Sequence, residues 1–511
     1  MNRTDQVMAP APAPSRPSGT LVYPLALFVL ALAIRLFRLD HLPLWNDELF
    51  SVLWSRSDLS FLVGQGTHIE TNPPLHFLLL KEWIRLFGDS AFSVRLPSAV
   101  ASSVAVVIGY ATGRQLLERR AALFGGILLA AGPLSVGLAQ DARPYAFVEL
   151  TASIALLAAT RFLLLFVAST PASRAHTPMR AALGWAALFV VASAVSFLFH
   201  YTVLFLIAAC LAVVALRLLI QRPMPKEALL IWIGAGCATA ASIAIPLLAA
   251  MSVSHSGNLE WINRPTPTDV LRFLMSIVMG ESFFRGKSVV VLIVLGIAAL
   301  GLRRRYAPGS PVLWLLVGVP VVAVAALVVV SLTRPLVMPR YAAWAAAPAL
   351  LAVAAGWEAL SSGKRSRAII LVGLACSLAA LVFQFRTREK EDWHSLAAIM
   401  EQNPSCRGPV AFGSPPFGLA YFDPALLRRP LWRLEGKYPS ATAEHYLLLR
   451  FAGDKGLPAG SLRPFMQHHP GAIFLVRGAT PDSDTFADFN RQLGAVSFHR
   501  DLGAGLQLWC R

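Results

Sequence analysis

Asp47 and Glu48 stand side by side in "PLWNDELFSV", directly after an apolar run that reads as long enough to cross a bilayer. A carboxylate is costly in hydrocarbon, but just outside it, shielded by apolar neighbours, it can take a proton from a hydroxyl or an amine. Asp47 is the candidate general base. Glu48 would orient it, hold a second polar group, or share a divalent ion with Asp47 and Asp141. Position alone equally allows both acids to be markers of the water boundary.

Arg143, in "QDARPYAF", and Arg340, in "VMPRYAAW", stand close to Tyr145 and Tyr341 at the ends of apolar runs. A planar guanidinium can hold a phosphate bidentately and stabilise it as a leaving group. Interfacial Arg and Tyr are also ordinary membrane anchors, so it is their coincidence with acids on one side that carries the functional reading. In "HIETNPPLHF" the paired prolines fix a turn that can aim Glu70, Asn72 and His76 at a common cleft. His200, in "FHYT", is a hydrogen-bonding candidate, and Trp261, in "NLEWINRP", suits either stacking on a sugar ring or the aromatic belt. His68, His76 and His200 can each ligate a metal, but their spacing matches no strong metal motif.

These residues need a frame, and composition says which. A chain of 511 residues that is 56% hydrophobic and 14% charged is too apolar for one soluble core. Crossing about 30 Å of hydrocarbon takes roughly 20 apolar residues, and about eleven such windows run near 21–37, 91–113, 121–139, 146–168, 182–199, 202–220, 228–251, 288–302, 311–332, 341–360 and 368–385. The segment 72–87 reads as a membrane-surface helix or part of a span. The fold expected is a polytopic α-helical membrane protein: a disordered cytoplasmic tail at 1–20, a transmembrane domain at 21–385 with a long outer loop at 38–90, and a small extracytoplasmic α/β domain at 386–511.

Lys and Arg gather in one set of alternating loops, among them Arg114, Arg119, Arg120, Arg217, Arg222 and Arg303 to Arg305, which makes that set cytoplasmic. Most acids fall on the other side. The formal charge of +17 belongs mainly to these membrane-flanking loops, which meet anionic lipid headgroups, so a nucleic-acid partner is not expected. In the C-terminal segment, "DWHSLAAIMEQ" and "DTFADFNRQL" read as helices, and "PVAFG", "GAIFLVRG", "AVSFHR" and "GLQLWC" as strands. Cys406 and Cys510 are candidates for a disulfide if the compartment is oxidising.

In fixed order, "RLDHLPLWNDELFSV", "NPPLHFLLLKEWIRLFGDSAFSVRLPS", "AQDARPYAF" and "MPRYAAWAAAPAL" resemble the bacterial type C glycosyltransferases. Protein O-mannosyltransferases and the lipid A aminoarabinose transferase are relatives. The resemblance extends over residues 21–385 and implies a transferase of the bacterial plasma membrane that takes a sugar from a polyprenyl-phosphate donor at the outer face, with a lipid, glycan or protein acceptor. It implies Asp47 as base or acceptor-binding group with Glu48 beside it, Asp141 as the acid of the second outer loop, and Arg143 at the carrier phosphate. Asn72 stands where relatives place Lys or His before the prolines. A transporter or flippase of polyprenyl-linked glycans is the alternative. Transporters favour ionisable groups at the midplane and repeated halves, neither of which stands out here.

Overall fold

The computed structural model describes residues 21–403 except 69, 71, 168–178, 254–263, 281–286 and 361–363, and beyond them chiefly six strands and residues 406, 421–422 and 502. The tail at 1–20 and "DTFADFNRQL" lie outside the described residues.

In hydrocarbon a backbone must satisfy its own N–H and C=O groups, so the apolar runs form helices. In chain order these are α1 (Val22–Leu36), α2 (Asn46–Ser55), α3 (Leu59–Val63), α4 (Leu75–Phe87), α5 (Ala91–Leu116), α6 (Arg119–Ala130), α7 (Pro133–Ala139) and α8 (Tyr145–Val167). There follow α9 (Met179–Phe199), α10 (Leu204–Leu219), α11 (Lys226–Val253), α12 (Pro267–Met279), α13 (Lys287–Arg305), α14 (Val319–Ser331), α15 (Ala346–Ala359) and α16 (Lys364–Thr387).

Among the described residues, seven helices are long and apolar enough to cross a membrane, or eight if α6 and α7, bent by 48°, form one broken span. On length and composition, the described residues do not confirm the expected count of about eleven. The segments at 21–37 and 288–302 are helical but fall short, and 368–385 lies within the helix α16. With 15 residues, α1 rises about 22 Å against about 30 Å of hydrocarbon. Basic residues intrude on α13, which ends in Arg303, Arg304 and Arg305. The 72–87 segment holds α4, a short helix that buries His76, Phe77 and Leu80.

Where α13 meets α15, small residues set the spacing. A Cβ added at Gly301 would lie 1.7 Å from the Gly356 carbonyl oxygen, so only glycine permits this backbone approach.

The C-terminal segment opens on α17 (Trp393–Gln402). Its strands are β1 (Val410–Phe412), β2 (Leu431–Leu434), β3 (Lys455–Leu457), β4 (Ile473–Val476), β5 (Phe498–Asp501) and β6 (Gln507–Cys510), ordered β3-β2-β1-β4-β6-β5 in one sheet. Pairing is parallel among β3, β2, β1 and β4 and antiparallel for β4–β6 and β6–β5. This segment does not stand apart from the helices. Leu49, Phe50 and Trp54 of α2 and Phe77 and Leu80 of α4 share one buried apolar cluster with Trp393, Leu396 and Met400 of α17 and with Leu508 and Cys510 of β6. Removing such a patch from water is the main force holding the two parts together.

Cys406 and Cys510 form a disulfide, with Cα atoms 5.1 Å apart, and Cys210, Cys237 and Cys376 are free. Maleimide labelling of the denatured, unreduced protein is therefore expected to tag three of the five cysteines, and all five after reduction. Cys406→Ser should cost about 2–5 kcal/mol, read as a lower thermal unfolding midpoint in detergent.

Candidate active site

The segment between α1 and α5 turns back on itself to present α2. Helix N-termini leave backbone N–H groups unpartnered, and here carboxylates take two of them: Glu48 Oε2 accepts from Trp45 N–H (3.3 Å) and Glu391 Oε2 from Asn46 N–H (3.1 Å). Consecutive residues of a helix point about 100° apart, so neighbouring acids cannot share one environment. The Glu48 side chain is 0% exposed and that of Asp47 18%.

Glu48 sits at the centre of an ion cluster. Its two oxygens accept from Arg95 Nε and Nη2, both at 2.7 Å, from Lys390 Nζ at 2.8 Å and from Ala142 N–H at 2.9 Å. Burial favours the neutral acid, but the charges and hydrogen bonds of Arg95 and Lys390 outweigh it and hold Glu48 ionised, well below the usual carboxylate range. The remaining donors of Arg95 go to the carbonyls of Leu39, Leu42 and Pro43, each at 2.8 Å, so all five of its N–H groups are used. One guanidinium thus sets the path of the chain from α1 into α2.

Asp47 faces the other way. Arg340 Nη1 lies 3.1 Å from Asp47 Oδ2. Arg143 Nη1 donates to the Asp47 carbonyl (3.2 Å) and to Ser51 Oγ (2.9 Å), one turn further along α2. Asp141, two residues before Arg143, accepts from Lys390 (2.7 Å) and Arg388 (2.9 Å).

Around this pair of arginines lie rings. Tyr145, His200 and Tyr341 pack as tilted rings, with centroids 5.3 Å (Tyr145 to His200) and 4.8 Å (His200 to Tyr341) apart. Thr202 holds the arrangement by donating its N–H to His200 Nδ1 and its hydroxyl to the Tyr341 carbonyl. His76 Nε2 bonds the Ala142 carbonyl at 3.1 Å, while its buried Nδ1 has no partner among the described residues. Burial, with the charge of Arg143 against both rings and that of Arg340 also against His200, pushes His76 and His200 down to about 3. Both imidazoles are therefore neutral near pH 7. Glu70 accepts from the backbone and side-chain amides of Asn72, and its charge is felt at Arg143.

Of the residues singled out in the sequence, Asp47, Glu48, Asp141, Arg143 and Arg340 converge, with His76, His200, Tyr145, Tyr341 and the Glu70–Asn72 pair around them. His68 ends the short 3-10 turn Gln65–His68. Trp261 lies outside the described residues. Sequence reasoning missed Arg95, Arg388, Lys390 and Glu391. Arg95 carried a usable signal, a cation set inside a mostly apolar run; the other three fall in the segment from 386 on that reads as the extracytoplasmic domain.

The divalent ion considered for Asp47, Glu48 and Asp141 does not fit. Each carboxylate already faces a Lys or Arg, and among the described residues no group of three or more His, Cys, Asp or Glu is placed to hold a metal.

The model of the dolichyl-phosphate-mannose-protein mannosyltransferase family matches residues 71–232. No curated protein matches the chain. Among solved structures, the chain is similar to ArnT from Cupriavidus metallidurans in the apo state, with a TM-score of 0.59 and 15% identity over 96% of this chain and 98% of that one. It is similar to the same protein bound to undecaprenyl phosphate, with a TM-score of 0.57 and 15% identity over the same shares. The fold is that of the polytopic type C glycosyltransferases, in agreement with the resemblance carried by the motifs.

Removing one partner of a buried ion pair strands the other, which costs about 3–5 kcal/mol. Arg95→Met is expected to lower stability by that amount, measured as loss of thermal unfolding midpoint in detergent. Arg95→Lys, with three donors for five acceptor contacts, should fall between.

Proposed function

We propose that this chain transfers a sugar from a polyprenyl-phosphate carrier to a hydroxyl or amine of an envelope acceptor, at the extracytoplasmic face of the bacterial inner membrane. The observation that carries the reading is the placement of Asp47: a half-shielded carboxylate, 3.1 Å from Arg340 and backed by Arg143 through its own carbonyl. A base and two cations around one opening suit a reaction in which a proton leaves an acceptor while a phosphate departs.

The acceptor oxygen or nitrogen attacks the anomeric carbon, forming the new glycosidic bond as the bond from that carbon to the phosphate oxygen breaks. Asp47 receives the acceptor proton. The electron pair leaves with polyprenyl phosphate, whose growing charge Arg143 and Arg340 stabilise. One displacement inverts the anomeric configuration. Neutral His76, with a free acceptor at Nδ1, and the Glu70–Asn72 pair are suited to sugar hydroxyls, and the faces of Tyr145 and Tyr341 to the ring. Glu48, with every contact taken by Arg95, Lys390 and backbone, acts as scaffold.

Three features support the carrier and the side of the membrane. Undecaprenyl phosphate is bound in one of the two ArnT structures of like fold. The disulfide is of a kind that persists in oxidising compartments, and its Cys510 shares a core with α2. The basic loops that orient the chain lie on the opposite side from Asp47. The isoprenoid chain would lie among the helices and lipids with its phosphosugar at the opening.

Reconstituted with polyprenyl-phosphate sugars and envelope acceptors, Asp47→Asn is expected to bind donor yet transfer about 100-fold more slowly or worse. Arg143→Ala should weaken donor binding. Normal transfer by a folded, donor-binding Asp47→Asn would sink the assignment of the base.

A further inference from the structure

We propose that the strap Arg388–Glu391, which leads from α16 into α17, is a wall of the active site, and that Lys390 is a positioning residue holding α2 and the Gln140–Arg143 loop in register. The inference rests on the transferase reading above and adds to it a part of the chain that neither the motifs nor the matched family segment reach.

The geometry is that of a bridge. Lys390 Nζ has three donors, and it meets Glu48 Oε2 at 2.8 Å, Asp141 Oδ1 at 2.7 Å and the Gln140 carbonyl at 3.4 Å. Those acceptors lie on two elements far apart in sequence: α2, and the loop between α7 and α8. Its neighbours repeat the pattern. Arg388 takes the Asp141 side at 2.9 Å, while Glu391 takes the α2 side through Asn46 N–H and is itself held by Trp393 Nε1 at 2.7 Å.

Charge neutralisation alone does not call for Lys390. Glu48 is already met bidentately by Arg95, and Asp141 through one oxygen by Arg388. What Lys390 adds is the link between them. Each anchor of that link adjoins a group proposed to react: Glu48 is next to Asp47, and Asp141 is two residues from Arg143. If the bridge slackens, the 3.2 Å contact between Arg143 and the Asp47 carbonyl loses its support. A displacement of about 1 Å between reacting groups can cost about 100-fold in rate.

Burial makes the bridge sensitive to alkali. The Lys390 side chain is 5% exposed. The groups facing it are Glu48 of α2, Asp141 of the loop, Arg95 of α5, Arg388 of the strap and the ring of Trp45, 6.0 Å from Nζ. Burial draws its pKa down, Asp141 and Glu48 push it up, and Arg95 and Arg388 draw it down again, leaving it at about 8. Below that pH the ammonium holds both carboxylates; above it the neutral amine releases them. An arginine would stay charged throughout.

The test compares the full-length wild type with Lys390→Arg and Lys390→Met in nanodiscs, by transfer kinetics and by hydrogen exchange. Lys390→Met is expected to lower kcat by about 100-fold while the donor KM moves less than about threefold, and to raise exchange in residues 44–52 and 139–144. Lys390→Arg should recover turnover, with a plateau reaching beyond the alkaline fall of the wild type near pH 8. A folded Lys390→Met with wild-type kcat and wild-type exchange would overturn the inference. If Lys390→Met does not fold, an alkaline limb unmoved in Lys390→Arg would overturn it instead. Should the wild type transfer no sugar from any carrier, the transferase reading fails, and exchange in the two segments still decides whether Lys390 links them.

Discussion

A carboxylate with no access to water, gripped by a guanidinium whose five N–H groups are all engaged, is the constraint on which the rest of this site depends. Taking both charges out of water costs several kcal/mol per ion, and the attraction between Glu48 and Arg95 offsets that only because their geometry is bidentate and every remaining donor finds a carbonyl. An apolar pair of similar volume could stabilise the packing as well. What it could not do is bind the Leu39, Leu42 and Pro43 carbonyls in fixed directions, which dictates where the chain turns after α1 and how α2 is aimed.

From that orientation follows a division of labour between adjacent acids. With Glu48 committed to the interior, the helical step of about 100° carries Asp47 to the rim. There it meets Arg340, and Arg143 crosses behind it to its carbonyl and to Ser51. Two arginines thus stand around one carboxylate, which suits a phosphate-bearing partner.

A second polar network lies beneath the first. Arg35 donates to Ser102 Oγ and to the carbonyls of Ala130 and Leu129, the last residues of α6 before the break, where helix carbonyls lack the usual intrahelical N–H partner. Ser102 passes the chain to Glu149, which Ser135 also reaches. The Gln140 amide then ties the carbonyls of Arg35 and Phe37 to the loop bearing Asp141 and Arg143. The bend between α6 and α7 is thus a held feature, and it delivers that loop to α2.

Much of this was legible in the residues. Long apolar runs must be helices in lipid, an acid pair after such a run must lie near water, and arginines beside tyrosines at span ends must lie near headgroups; these are local consequences of transfer free energy, so composition and spacing alone determined the membrane frame and most members of the site. The number of helices long enough to cross was less legible, because α1 is short and α13 ends in charge, which an apolar window does not weigh. What only the tertiary structure decided was which acid is buried and which is presented, and that Arg95 and Lys390 converge on Glu48 from 47 residues and 342 residues away. Pairing at such separations leaves no periodic trace in sequence: it is set by the packing of helices against one another, and the energy of a buried charge depends on partners that come within reach only once the chain has folded.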